Sequence, residues 1–182
     1  MTKKINIYDI IKTTADFEDA KTRSLFSLTP KIKAQGFLTK DQAMKILKWK
    51  SPRPLKHYDK NSNEEFRQIT KLAFNQKDEK IKIHILTALT GVNYPTASAL
   101  LMFYDRTKYP IIDIRVWKQL YKNGLVTENE KGQSFTLEQW IKYLNVIRQL
   151  AKENKLIVRQ VEKRLFDYDR KTQLGLLYKV IN

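Results

Sequence analysis

Three times along the 182-residue chain a Ser or Thr stands three residues ahead of a Gln or Glu and opens an apolar stripe of helical period: Thr39 with Gln42, Ser62 with Glu65, and Thr136 with Gln139. At that spacing the hydroxyl accepts from the backbone N–H three residues on, while the longer side chain reaches back to the cap's own N–H. Each pair therefore marks a helix start. Ala43, Ile46 and Leu47 follow the first pair, and the prolines of Ser51-Pro52-Arg53-Pro54 end that segment, because proline lacks the N–H and clashes with the preceding turn. Phe66, Ile69, Leu72 and Ala73 share a face behind the second, and Ile81, Ile85, Ala88 and Leu89 make a stripe in the next segment. Trp140, Leu144, Ile147 and Ala151 follow the third, and Val158, Val161 and Leu165 define a last helix. Little of the sequence alternates with period two. An all-α fold is expected.

Between these segments lies a compact helix from Pro95 to about Tyr104, opened by a proline and rich in small residues. Another begins near Asp113, turns Val116, Trp117 and Leu120 inward, and ends at Asn123-Gly124, a pair suited to a left-handed cap. Residues 124–135 form a loop. The apolar tail LGLLYKVIN is expected to dock on the core. Nothing divides the chain, so residues 1–182 are read as one compact multi-helix unit built around residues 78–122. The N-terminal segment and the C-terminal helices are placed to make a second lobe.

Lys and Arg number 35 against 19 Asp and Glu, a net charge of +16. Such an excess suits a polyanion, and nucleic acid best, since neutralising phosphates releases their counterions. An anionic membrane surface is the alternative. No stretch approaches the roughly twenty apolar residues of a membrane span, and the N-terminal MTKKINIYDIIKTTADF has no unbroken signal-peptide core. A cytoplasmic monomer is expected, nucleoid-associated in a prokaryote. The chain has no cysteine, which removes disulfides, thiol catalysis, Cys-ligated zinc and iron–sulfur clusters. His57 and His84 stand apart from any metal-ligand spacing, and no phosphate-cradling glycine loop of the nucleotide-hydrolase type occurs. Asp167 and Asp169 are two apart on a helix and do not face each other, so solvent exposure is expected. No metal or organic cofactor is implied.

The run from Leu86 to Trp117 carries the chemistry. Thr90-Gly91-Val92-Asn93 turns the chain between two helices, and Gly and Asn accept the left-handed backbone that aims N–H groups at a phosphate. The dipole of the following helix adds partial positive charge, with Arg106 and Lys108 as full charges. Thr90, Gly91, Val92, Asn93, Tyr94, Thr96, Arg106 and Lys108 are thus the expected DNA contacts. Tyr94, Tyr104 and Trp117 are candidates to stack on a base. Downstream, the apolar lead-in Tyr109-Pro110-Ile111-Ile112 ends at Asp113.

Leu89-Thr90-Gly91-Val92-Asn93, Tyr94-Pro95, Thr96-Ala97 and then Ile112-Asp113-Ile114-Arg115-Val116 resemble, over residues 84–121, the helix-hairpin-helix DNA glycosylases of the endonuclease III type. The resemblance implies an enzyme that extrudes a damaged or modified nucleotide from duplex DNA into a cleft between helical lobes. It makes Asp113 the catalytic carboxylate, stabilising oxocarbenium charge on the sugar or orienting water. The plainer reading of Asp113 is a helix cap. Members that also cut the strand carry a lysine where this chain has Pro95, which implies a monofunctional hydrolase without lysine-dependent lyase activity. Asn93 replaces the family's second hairpin glycine and Thr90 its proline. Two other classes stay open: a DNA-binding module without catalysis, for which Asp113 would be an exposed cap on a flat surface, and a basic helical scaffold for an acidic protein.

Overall fold

The structure, a computed structural model, describes residues 5–173. Among the described residues there is no strand, and the helices are α1 (Ile7–Thr13), α2 (Ala20–Phe26), α3 (Thr29–Gln35), α4 (Lys40–Lys50), α5 (Leu55–Tyr58), α6 (Asn63–Asn75), α7 (Glu79–Leu86), α8 (Tyr94–Tyr104), α9 (Ile114–Lys122), α10 (Leu137–Asn154) and α11 (Val158–Thr172). All three expected capping boxes are formed, opening α4, α6 and α10. Asn123 and Gly124 end α9, with Gly124 at φ +74°. The apolar tail lies outside the described residues. Among those residues no helix is long and apolar enough to cross a membrane.

Helix α8 is apolar on every side, and Thr96 through Phe103 are all buried. A helix without a polar face belongs inside, and α8 is the axis of the fold: α3, α4 and α7 pack against it, with α6 laid over α4 and α7. On the other side α9, α10 and α11 pack together, and α1 crosses the molecule to lie on α10 and α11. Charge closes that crossing. Arg164 bonds Asp16 through Nη2 at 3.0 Å and the Ile11 carbonyl through Nη1 at 2.8 Å, and Arg159 grips Glu18.

Two expected stripes are corrected. Leu72 is 63% exposed and Ile81 49%, and Ala88 also faces solvent. The inward face of α6 carries Phe66, Thr70, Ala73 and Phe74, and that of α7 carries Lys82, Ile83 and Leu86. Helix α7 stops at Leu86. Thr87, Ala88 and Leu89 each donate to the residue three back, a tighter turn that breaks the 100° register by which Ala88 had been aligned with Ile81 and Ile85. Lys82 can occupy an inward position because its Nζ donates to the Tyr109 hydroxyl at 2.7 Å and stands 5.2 Å from the centre of that ring. That phenol is pushed above its ordinary range by burial.

Candidate active site

The turn between α7 and α8 is held from below. The buried Asn61 accepts from Thr90 N–H through Oδ1 at 2.7 Å and donates through Nδ2 to the carbonyls of Thr90 (3.1 Å) and Tyr58 (2.8 Å). Val92 N–H donates to Leu89, and Asn93 N–H to Thr96 Oγ1 at 2.9 Å, part of a fourth capping box that opens α8. Three of the amides expected to face a phosphate are therefore taken within the protein. The side chains of Val92 and Thr96 are buried and shape the turn instead of contacting a ligand. Gly91 is at φ +84°, as expected, but the reason for its missing Cβ differs: a Cβ there would stand 2.7 Å from His57 Cβ and 3.1 Å from the Tyr58 ring. The close approach is to α5. Gly91→Val is expected to lower the melting temperature sharply, because steric collision adds to left-handed strain, whereas Gly36→Ala, with open space at φ +72°, loses only about 1–2 kcal/mol. Thermal melts of the two variants check this.

Asp113 is fixed from three helices. Ile112 N–H donates to Ser98 Oγ of α8 at 3.1 Å, and Tyr143 of α10 donates through its hydroxyl to Ile111 O at 2.7 Å. Asp113 itself caps α9, accepting from Arg115 N–H through Oδ1 at 3.0 Å. The cap uses one oxygen only. Oδ2 accepts from Lys50 Nζ at 2.6 Å, the last residue of α4 and 63 positions earlier. The two side chains keep 15% and 18% exposure. Burial pushes the Asp113 carboxyl up, but the adjacent Lys50 ammonium and the Arg115 amide outweigh it and hold the group below the ordinary carboxylate range, so it is ionised at neutral pH.

The pair forms a partition between two cavities. One, of about 420 Å³, opens beside the start of α8 and is lined by Arg53, Asn93, Pro95 and the end of the 124–135 loop at Gln133 and Ser134. The other, of about 300 Å³, is lined by Trp49 of α4, Phe166 of α11, Asp19, Arg159 and Glu162. Lys50 and Asp113 line both. Among the described residues, no three His, Cys, Asp or Glu side chains converge as metal ligands.

Several expected site residues lie elsewhere. Trp117 is fully buried, its indole N–H donating to Asn129 O at 2.9 Å, and cannot stack on a base: as a core residue of an amphipathic helix it follows the apolar stripe. Tyr104 is stacked on Phe74, ring centroids 4.0 Å apart. It closes α8 at the end away from the turn, about 16 Å along an 11-residue helix. Arg106 and Lys108 follow at that same far end, Arg106 over the Phe26 ring at 4.8 Å and Lys108 near Asp105 at 3.9 Å, so neither supplies charge to the turn. Tyr94 stays beside it, its hydroxyl 3.1 Å from His84 Nδ1. Asp167 and Asp169 are buried, not solvated: Asp167 is paired with Lys163, and Asp169 accepts from Gln119 at 2.7 Å and Arg115 at 3.1 Å. Sequence reasoning missed Lys50, Asn61, Trp49 and Phe166. Only chain folding brings them to the site.

No protein-family model matches the chain, and no curated protein matches it in sequence. In structure it is similar to the 8-oxoguanine glycosylase/lyase of Methanocaldococcus jannaschii, crystallised with a 15mer DNA containing 8-oxoguanine, with a TM-score of 0.54 and 17% identity over 93% of this chain and 80% of that one. The two share an all-α fold.

Proposed function

We propose that the protein is a DNA glycosylase that hydrolyses the N-glycosidic bond of a damaged or modified base. The observation that carries this reading is Asp113: a carboxylate kept ionised at the meeting of two cavities, one of them beside a helix N-terminus. An exposed cap on a flat surface would have favoured a DNA-binding module without catalysis. In this reading a nucleotide turned out of the duplex spans the partition. Its phosphates lie toward the positive end of α8 and Arg53, its sugar against Asp113, and its base between Trp49 and Phe166. As the bond to the base lengthens, positive charge grows on C1′ and the ring oxygen. Asp113 Oδ2 stabilises that charge from a partly desolvated position, where a fixed carboxylate acts more strongly than in water. The fold shared with a glycosylase/lyase supports the reading.

Duplex binding is expected to weaken steeply with salt, by roughly 10³ between 50 and 200 mM when about six phosphates are neutralised. Fluorescence anisotropy of labelled duplex at several salt concentrations reads the slope. Incubation with a panel of duplexes, each carrying one damaged or modified base, then tests release. Binding without salt dependence, or release from no duplex, contradicts the proposal.

A further inference from the structure

Resting on the glycosylase reading, we propose that Lys50 makes this protein a lyase as well: its amine condenses with C1′ of the abasic deoxyribose and opens the strand through an imine. The absence of an amine at Pro95 argued for hydrolysis alone, but the structure brings a different amine to the same carboxylate. Lys50 Nζ lies 2.6 Å from Asp113 Oδ2, on the wall common to both cavities and open to each. Its carrier is rigid. Ser51 N–H closes α4 on Leu47 O, and the neighbouring Trp49 donates through Nε1 to Thr22 Oγ1 at 3.1 Å. The other cations around the second cavity are matched away from Asp113: Arg159 to Glu18 and Glu162, Lys163 and Arg170 to Asp167. Among these cations, Lys50 is the one paired with Asp113.

The chemistry balances with the groups present. As the Lys50 lone pair forms the Nζ–C1′ bond and the aldehyde π electrons move to oxygen, Asp113 Oδ2 takes one Nζ proton and passes it to that oxygen. A second Nζ proton follows the same route, so the oxygen leaves as water and an Nζ=C1′ iminium with one proton on nitrogen remains. The Asp113 carboxylate then takes a C2′ proton to give the enamine, whose electrons expel the 3′ phosphate as the C2′–C3′ bond becomes double. Hydrolysis of the conjugated iminium then returns the amine and releases the unsaturated aldehyde. No oxidant or reductant enters.

The test uses a duplex with one abasic site, so it does not depend on knowing the excised base. Full-length protein is mixed with this DNA and sodium borohydride, which reduces an imine to a stable amine, and the adduct is located by peptide mass spectrometry. The expected result is a cross-link on Lys50 of the wild type, lost to background in Lys50→Arg, whose guanidinium keeps the charge beside Asp113 but is no nucleophile. Melting curves and duplex affinity of Lys50→Arg and Lys50→Gln show whether fold and binding persist, and the wild-type map stands without either variant. No adduct, an adduct on another lysine or the N-terminus, or full trapping by folded Lys50→Arg overturns the proposal. Base release without an adduct would remove Lys50 and leave the glycosylase; neither activity would remove both.

Discussion

Replacing Asp113 by Asn is expected to lower base release by about 10²–10³, the loss typical of removing one preorganised electrostatic group from a transition state. Duplex affinity should hold or improve, because a carboxylate facing a phosphodiester repels it before reaction begins. The fold should survive. Asn caps a helix about as well as Asp, so the bond that Oδ1 accepts from Arg115 N–H at 3.0 Å can be kept by the amide oxygen. Asp113→Ala adds loss of the cap, about 1 kcal/mol in stability. Single-turnover release from the best duplex of the panel, with affinity and melting of both variants, separates charge from cap. Equal release by wild type and Asp113→Asn would assign the residue to capping alone.

Replacing Arg159 by Met is expected to destabilise the protein by about 3–5 kcal/mol, as for other buried ion pairs broken on one side. In a chain of this size that is a fall of roughly 6–20 °C in Tm. Arg159 is buried and grips Glu18 through Nε at 2.7 Å and Nη2 at 3.0 Å, while Nη1 reaches Glu162. Burial pushes the Glu162 carboxyl above its ordinary range even with this partner, and the guanidinium is held the more firmly charged by the two acids. A carboxyl whose folded pKa is raised favours the folded state at low pH and loses that contribution as pH rises through its folded value. Without Arg159 the Glu162 carboxyl is raised further, so the deficit of Arg159→Met should be larger at pH 8 than at pH 5. Chemical denaturation at the two values reads it, and a deficit that is equal or larger at pH 5 would contradict the role assigned to this pair. Because Arg159 and Glu162 border the second cavity, the same change should loosen the wall against which the base is proposed to rest.

What the sequence disclosed and what it hid divide along the range of the interactions. Thr39, Ser62 and Thr136 cap helices through partners three residues away, and Asp113 caps α9 through Arg115 two residues away, so those starts could be read locally. The inward face of α8 needed no phase, being apolar throughout. For α6 and α7 a phase was needed, and several apolar residues allowed two; Leu72 and Ile81 were placed on the wrong one because the choice is made by packing against α4 and α8. The site itself is a set of long-range meetings. Lys50 and Asp113 are 63 residues apart, Glu18 and Arg159 141, and Asn61 and Thr90 29. No local pattern announces any of them. Helix α11 hid its role in another way: its buried face includes Arg159, Glu162, Lys163, Asp167 and Asp169, and the two aspartates read as solvated until their partners are in view.

The decisive measurement is a crystal structure of the Asp113→Asn variant with a duplex carrying a tetrahydrofuran abasic-site analogue. The expected result is the analogue turned out of the helix, its C1′-equivalent carbon about 3.5 Å from residue 113 and within reach of Lys50 Nζ, with the flanking phosphates at the start of α8. DNA bound on another face, or an analogue left within the stack while the cavities beside Lys50 and residue 113 stay empty, would contradict the assignment of this site.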